Sequence, residues 1–192
     1  MAFVFKIKID GLSKPPVWRR VLVPSNFSFD RFHRVIQVAF GWENVHLYTF
    51  TDVPYASSFE IKLKDEDFGV HWPNDVPYKE AKSFTLGEFF SEKRRQLVYL
   101  YDFGDDWVHR IELEEIVDEE PPCARCLQGR GTCPPEDVGG AMGYEEMKRV
   151  LREEPQSEEA MDYIEWLLID ENDTFNPDEF NLKIVNLCLD GI

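Results

Sequence analysis

A chain of 192 residues with 43% hydrophobic and 14% aromatic residues can bury one sizeable core, which excludes a disordered chain. We therefore predict a single domain over residues 1–192. No apolar run approaches the roughly 18 residues of a membrane span, and the N-terminus lacks the pattern of a signal peptide, so we expect a cytoplasmic protein without a membrane partner.

The net charge of −16 repels nucleic acid on average, but the charges are unevenly distributed. Residues 1–40 carry seven Lys/Arg and two Asp, whereas residues 41–192 carry fourteen Lys/Arg and thirty-five Asp/Glu. The basic N-terminal region either docks against the acidic remainder or forms a nucleic-acid-binding face. The candidates for nucleic-acid contacts are Lys14, Arg19, Arg20, Arg31 and Arg34.

The first elements are predicted from alternation and from capping residues. Residues 3–9 and 17–23 alternate apolar and other side chains, which predicts an antiparallel hairpin. Ser28 is a favourable N-cap and Gly41 a favourable C-terminal stop. The apolar stripe between them predicts a helix over residues 29–40.

The middle of the chain again has the period of strands. Thr85 and Glu88 form a capping-box pattern that opens a short helix, LGEFFSEK. The strongest hairpin prediction surrounds the Gly-Asp-Asp turn at residues 104–106. The predicted strands of this region are 45–53, 59–63, 96–103 and 107–116.

The last third of the chain changes character. Residues 117–142 are predicted to form an acidic, proline-containing cysteine loop, and residues 143–192 have helical patterns. This order, strand-rich over 1–116 and then helical, predicts an α+β fold in which helices pack on one face of a mostly antiparallel sheet. The predicted C-terminal helices cover 144–153, 158–169 and 177–189, the last two with Ser157 and Asn176 as N-caps.

Three cysteines within eleven residues form the first candidate site. Cys123 and Cys126 have the Cys-x2-Cys spacing at which two thiolates meet one tetrahedral ion, and Cys133 follows as a third. His109 is the candidate fourth ligand, and a structural zinc is favoured over a catalytic one. The alternative is three reduced thiols in a rigid loop. Other candidates for the fourth ligand are His46, His71 and Cys188, although Cys188 is also predicted to be a buried small apolar residue on the last helix.

The acidic turn forms the second candidate site. Asp102, Asp105, Asp106 and His109 combine carboxylates with an imidazole, as a metal-dependent hydrolase requires for metal binding and for acid and base chemistry. Asp and Gly are also what a hairpin turn needs for its backbone, so turn chemistry is the competing explanation. Residues 134–140, PPEDVGG, are interpreted as a structural lid or a rigid binding loop.

Five stretches carry a family resemblance: PPVWRRVLVP at 15–24, IQVAFGW at 36–42, HLYTF at 46–50, YDFGDDWVHRIELE at 101–114 and CPPEDVGGAMGY at 133–144. They resemble the plasmid Ri ORF-three-like family, whose members are often labelled transposon-associated or resolvase-like. The resemblance implies a compact α+β domain and a connection to mobile elements. The resolvase-like label is not supported here, because neither an arginine-rich serine site nor a basic helix-turn-helix is evident.

These observations favour a soluble binding or accessory module with an unidentified protein partner and a structural zinc. Its expected recognition surface is the cleft between the 99–110 hairpin, the cysteine loop and the strand of His46. The first alternative is the metal-dependent hydrolase, and the second is nucleic-acid binding through the basic N-terminal region.

Overall fold

A computed structural model describes residues 1–64, 76–119, 121–170 and 173–192 of the chain. One eight-stranded sheet runs through it, in the order β5-β4-β3-β6-β7-β1-β2-β8. All neighbours pair antiparallel except β4 and β5, which pair parallel. The strands are β1 Ala2–Ile9, β2 Trp18–Pro24, β3 Tyr48–Thr51, β4 Glu60–Lys62, β5 Tyr78–Glu80, β6 Gln96–Tyr101, β7 Trp107–Val117 and β8 Arg125–Arg130.

Five helices accompany the sheet in the described residues, and three of them follow the last strand. None of the helices in the described ranges is long and apolar enough to cross a membrane. The architecture confirms the predicted α+β class. The helices are α1 Phe29–Phe40, α2 Leu86–Phe89, α3 Gly140–Glu153, α4 Glu158–Trp166 and α5 Leu182–Leu189.

The core lies between α1 and the face of the sheet that β1 presents to it. Alternation in β1 places its phenylalanines and isoleucines on this face, and the ring of Phe5 lies 4.9 Å from that of Phe32 in α1. Phe32 in turn stacks on Phe50 of β3 at 5.8 Å. An aromatic layer of this kind removes a large apolar area from water and fixes the direction of α1 across the sheet.

The predicted helix boundaries are confirmed where they depend on local capping. The hydroxyl of Ser28 accepts a hydrogen bond from the Arg31 amide, and Gly41 ends α1 with a φ of 98°, in the left-handed region that glycine adopts without strain. The side chain of Glu88 accepts a hydrogen bond from the amide of Thr85, which completes the predicted capping box.

The predicted cysteine loop contains a strand, which corrects the assignment of residues 117–142. β7 continues to Val117, and Arg125–Arg130 forms β8, which pairs with β2 at the edge of the sheet. The sequence of β8 alternates weakly, because its one buried side chain is Cys126. Backbone pairing with β2, and not a hydrophobic stripe, determines that this segment is extended.

The last helix begins five residues later than predicted, at Leu182, with Asn181 as its N-cap. Tertiary hydrogen bonds take priority over the local helix signal at Asn176. The Thr132 amide donates to the carbonyl of Pro177, and the Thr132 hydroxyl to that of Asn176, so the segment before α5 is held against the end of β8. Cys188 is exposed on α5, so its predicted burial is wrong; Leu189 is the buried residue at this end.

Candidate metal centre

The turn between β6 and β7 positions the first carboxylate of the candidate site. Asp102 and Asp106 have φ values of 56° and 57°, in the left-handed region that Asp tolerates better than most residues. The amide of Asp106 donates to the Asp102 carbonyl at 2.7 Å, and Oδ1 of Asp102 accepts from the Gly104 amide at 2.9 Å. One carboxylate oxygen of Asp102 therefore serves the turn, and Oδ2 is left to face His46.

His46 lies just before β3 and is brought to this turn by the pairing of β3 with β6. The amide of Asp102 donates to the Leu47 carbonyl at 3.0 Å, which fixes the two segments side by side. The hydroxyl of Tyr101 accepts from the Val45 amide at 3.2 Å, and the imidazole of His46 meets the Tyr101 ring edge-on at 5.8 Å. The position of the imidazole thus follows from the backbone register.

The loop after β8 supplies two further carboxylates, Glu136 and Asp137. Oε1 of Glu136 accepts from the Tyr101 hydroxyl at 2.9 Å and from the Glu43 amide at 2.8 Å. Burial raises the pKa of Tyr101 above its ordinary value, and the bond to Glu136 adds to the effect, so the phenol remains a donor at neutral pH. Asp137 has a φ of 58°.

This loop contacts the turn so closely that glycine is required where the two meet. The amide of Gly139 donates to Oδ2 of Asp105 at 3.0 Å. A Cβ atom added to Gly140 would lie 2.5 Å from the carbonyl oxygen of Asp105, and the φ of Gly140 is 68°. The glycine pair therefore permits the approach that brings Glu136 and Asp137 over His46.

Three carboxylate oxygens surround one imidazole nitrogen. Nε2 of His46 lies 3.2 Å from Oδ1 of Asp137, 3.6 Å from Oδ2 of Asp102 and 3.7 Å from Oε2 of Glu136. Within the described part of the chain, His46, Asp102 and Asp137 are the one group of at least three His, Cys, Asp or Glu residues whose candidate ligand atoms lie within 4.8 Å of one another. We call these residues and Glu136 the His46 cluster.

Two atoms of the His46 cluster are buried without a hydrogen-bond partner. They are Nε2 of His46 and Oε2 of Glu136. The side chains of Asp102 and Glu136 are 9% and 11% exposed, whereas that of Asp137 is 72% exposed, so the cluster opens to solvent on one side. Buried polar atoms are normally satisfied, and two facing orphans indicate that something polar belongs between them.

The spacing of the ligand atoms suits a small divalent cation. Zinc lies about 2.0–2.2 Å from nitrogen and carboxylate ligands, so the ligand atoms of a tetrahedral site are about 3.4 Å apart. The three distances from Nε2 of His46, 3.2–3.7 Å, bracket this value. The carboxylates of Asp102 and Glu136 are mostly buried and lie near that of Asp137, so the three repel one another, and a divalent ion would relieve that repulsion.

His109, predicted as a catalytic residue and as a zinc ligand, lies elsewhere. It is fully buried, its Nδ1 lies 3.0 Å from the carbonyl of Trp107, and its Nε2 lies 3.4 Å from the indole nitrogen of Trp42. Burial lowers the pKa of His109 to about 4. Strand parity places it beside Trp107 as expected, but that face is the core of the protein, so both roles predicted for His109 are corrected.

The other two aspartates of the acidic turn have separate partners. Asp105 binds the Gly139 amide and so holds the loop to the turn. Asp106 interacts with the hydroxyl of Tyr55, whose pKa is raised by burial and by this carboxylate. Of the predicted hydrolase residues, the structure therefore places Asp102 alone in the His46 cluster.

The three clustered cysteines are not grouped as ligands in the described part of the chain. The thiol of Cys123 contacts Asp190, and that of Cys126 contacts the carbonyl of Gln128. Burial raises the pKa of Cys126 and of Cys133, so both thiols are protonated at neutral pH. Zinc binding by these residues stays a prediction. Cys188 lies on α5, and His71 lies outside the described residues.

Arg19 does not belong to a nucleic-acid-binding face, because it is only 2% exposed to solvent. Its guanidinium donates to the carbonyls of Ala39, Arg130 and Gly131 at 2.7–3.0 Å. The rings of Phe40 and Phe180 lie 4.9 and 4.4 Å from it. A cation used in this way stabilises the fold and is inaccessible to a phosphate.

The remaining basic candidates form ion pairs, lie over an aromatic ring or line a cavity. Arg20 binds Glu114 and Gln128, and Arg34 pairs with Asp30. Arg31 lies over the ring of Phe27 at 3.7 Å, and Lys14 lines a cavity described below. The pairing of Arg20 with Glu114 agrees with docking of the basic N-terminal region against the acidic remainder of the chain, the alternative to a nucleic-acid-binding face.

The fold and the His46 cluster define an α+β protein with a carboxylate–histidine site at the end of its central strands. The family model described as plasmid pRiA4b ORF-3-like protein matches residues 1–184. The chain belongs to this family, as its sequence predicted.

Two relatives extend the comparison. Uncharacterized protein y4hQ of Sinorhizobium fredii is 37% identical over 166 residues, which are 84% of this chain and 78% of that protein. The crystal structure of a protein of unknown function, MM3350, from Methanosarcina mazei is similar with a TM-score of 0.77 and 32% identity. That match covers 95% of this chain and 96% of the other, so the whole architecture is shared.

Proposed function

We propose that this protein is a divalent-metal-binding module whose ion is held by His46, Asp102 and Asp137, with Glu136 as a fourth or neighbouring ligand. The supporting observation is that Nε2 of His46 and Oε2 of Glu136 are buried without partners, 3.7 Å apart. A mixed nitrogen and oxygen ligand set suits zinc, manganese or ferrous iron, and zinc is the first ion to test.

The ion is proposed to serve recognition. The exposed side of the cluster, at Asp137, leaves coordination positions that a carboxylate or phosphate of a partner can occupy. This proposal keeps the predicted binding or accessory role and the predicted cleft near residues 99–110, but moves the metal from the cysteines to the His46 cluster. A cytoplasmic location and an association with mobile elements stay predictions.

The test is zinc and manganese titration of metal-free protein by calorimetry. Wild type should bind one ion per chain. His46→Ala and Asp102→Asn should each weaken binding by at least about tenfold, because each removes a ligand. Asp106→Asn is the matched control: it lies in the same turn, at a backbone conformation that Asn tolerates, outside the cluster.

A second comparison separates the two candidate metal sites. Cys123→Ser changes a partly exposed thiol and should leave zinc binding unchanged. Zinc binding that survives His46→Ala and Asp102→Asn but is lost in Cys123→Ser would overturn the proposal in favour of the cysteine site.

A metal-dependent hydrolase is the second candidate, and one observation favours it. Oε2 of Glu136 is buried and unpartnered beside the proposed ion, where a general base would accept a proton from a metal-bound water. Glu136→Gln should then retain metal and fold but lose turnover of activated phosphate esters or carboxylate esters. The absence of metal-dependent turnover by wild type, or turnover that is unchanged in Glu136→Gln, would exclude this candidate.

A further inference from the structure

A cavity of about 450 Å³ lies among α3, α4, the segment before α5 and the loop before β2, formed by residues that are not in the His46 cluster. This volume is within the range of about 300–1,000 Å³ typical of small-molecule sites. Its lining residues are Lys14, Glu145, Lys148, Leu151, Arg152, Pro155, Ile164, Ile169, Asp173, Thr174, Phe175 and Pro177.

One wall of the cavity holds a buried cation. The side chain of Lys148 is 6% exposed, and its Nζ donates to the carbonyl of Lys14 at 3.1 Å and to a carboxylate oxygen of Glu145 at 2.9 Å. Nζ also lies 4.8 Å from the centre of the Tyr144 ring. An ammonium has three N–H donors in rotatable positions, so a further acceptor can join these two partners without displacing them.

Two further cations line the cavity. The side chain of Arg152 is 71% exposed, and Lys14 is also exposed. Among the described residues that line the cavity, Glu145 and Asp173 are acidic. In a chain with a net charge of −16, three cations and two carboxylates among these lining residues are a local exception that favours an anionic ligand, although Lys148 also pairs with Glu145 and Arg152 with Glu153.

The rest of the wall is apolar. Leu151, Ile164, Ile169 and Phe175 all line the cavity and are partly exposed. Partly exposed apolar side chains in a concave wall gain from contact with an apolar ligand, because that contact removes them from water. The ligand that matches both parts of the wall combines an anionic group with an apolar body.

We propose that this cavity binds a small organic carboxylate with an apolar body, its carboxylate close to Lys148 and Arg152 and its body against Leu151, Ile164 and Phe175. This site is independent of the His46 cluster, and its test does not involve metal.

The probe is octanoate, titrated into full-length protein by calorimetry, with shifts of backbone amide resonances to locate the binding. Octanoate should bind saturably. Lys148→Met, which keeps the apolar stem, should weaken it by at least about tenfold, and Arg152→Gln by about threefold. Octylamine has a similar apolar body with the opposite charge and should not bind.

Arg149→Gln is the matched control. Arg149 lies on the same helix next to Lys148 but pairs with Glu146 and Glu154 outside the cavity lining, so its replacement should leave the affinity unchanged. Ile164→Trp, which fills the cavity without removing a charge, should abolish binding and decides the question if Lys148→Met does not fold. No saturable binding at millimolar octanoate, equal binding of octylamine, or equal losses in Arg149→Gln and Arg152→Gln would overturn the proposal.

Discussion

Two of the histidines on this sheet and helix framework are fully partnered, and one is not. In the core, His33 hydrogen-bonds to Tyr99 at Nδ1 and to Asn44 at Nε2, and His109 is bonded at both ring nitrogens as described above. In each ring one nitrogen can donate and the other can accept a hydrogen bond, as in a neutral imidazole. Nε2 of His46, by contrast, faces carboxylates and is buried without a hydrogen-bond partner. The fold therefore supplies hydrogen-bond partners for both ring nitrogens of the two core histidines, but not for Nε2 of His46.

The largest expected effect is the difference in stability between two alanine variants. His109→Ala removes a fully buried ring that packs against Phe40 and Tyr99, and it leaves the indole N–H of Trp42 without its acceptor. We expect a loss of about 3–5 kcal/mol in the free energy of unfolding, measured by urea denaturation. His46→Ala should cost less than about 1 kcal/mol in metal-free protein. Equal losses in the two variants would contradict the distinction.

Bound metal should reduce the difference in stability loss between variants of the core histidine and variants of the His46 cluster. At a free concentration about 100 times Kd, an ion that binds only the native state raises the free energy of unfolding by about 2.7 kcal/mol. This gain should appear in wild type and in Asp106→Asn, and should fall to about 1.4 kcal/mol or less in Asp102→Asn, whose Kd is expected to be at least about tenfold higher. Denaturation with and without zinc measures it. An undiminished gain in Asp102→Asn would place the ion elsewhere.

Per histidine and per pH unit, the smallest effect is the pH dependence that the two core histidines cause. Burial lowers the pKa of both His33 and His109 to about 4. Their unfolded values are near 6.5, so the unfolded chain binds more protons between pH 6.5 and 4. The contribution of these histidines to the free energy of unfolding is therefore fully present above about pH 6.5. It falls as the pH is lowered, by up to about 1.4 kcal/mol per pH unit for each histidine.

His33→Gln separates the contributions of His33 and His109 to the pH dependence of stability, because it removes one titrating group and keeps a polar side chain near Tyr99. Urea denaturation with a chelator between pH 6.5 and 4.5 should show about half of the wild-type slope. An unchanged slope would mean that other groups cause the pH dependence.

Much of the fold was predictable because it depends on short-range patterns. Alternation located β1, β2, β6 and β7, and the caps of α1 and α2 were identified from residues within one helical turn of the helix end. The prediction failed where a distant segment decides the local structure. The pairing of β8 with β2 and the hold of Thr132 on residues 176–179 depend on contacts more than forty positions apart, which alternation does not encode.

The His46 cluster was predictable only in part. The sequence indicates Asp102 as a candidate because its turn is acidic, and His46 as a candidate fourth zinc ligand beside the cysteines. It predicts that Glu136 and Asp137 belong to a lid or binding loop. These residues meet because β3 pairs with β6 and because Gly140 lets the loop approach Asp105. No residue close to Glu136 in sequence indicates that β3 pairs with β6. The proximity of Glu136 and Asp137 to His46 is therefore evident only in the folded structure.

The guanidinium of Arg19 has a consequence for folding during synthesis. Its acceptors at Arg130 and Gly131 lie 111 and 112 positions further along the chain, and β1, the neighbour of β2, likewise pairs with β7. Residue 19 leaves the ribosome long before these partners exist, so the charge must stay hydrated and one edge of β1 must stay unpaired. The nascent N-terminal half is therefore expected to remain incomplete and open to pairing with other chains, until the late arrival of β7 and β8 lets the sheet form together.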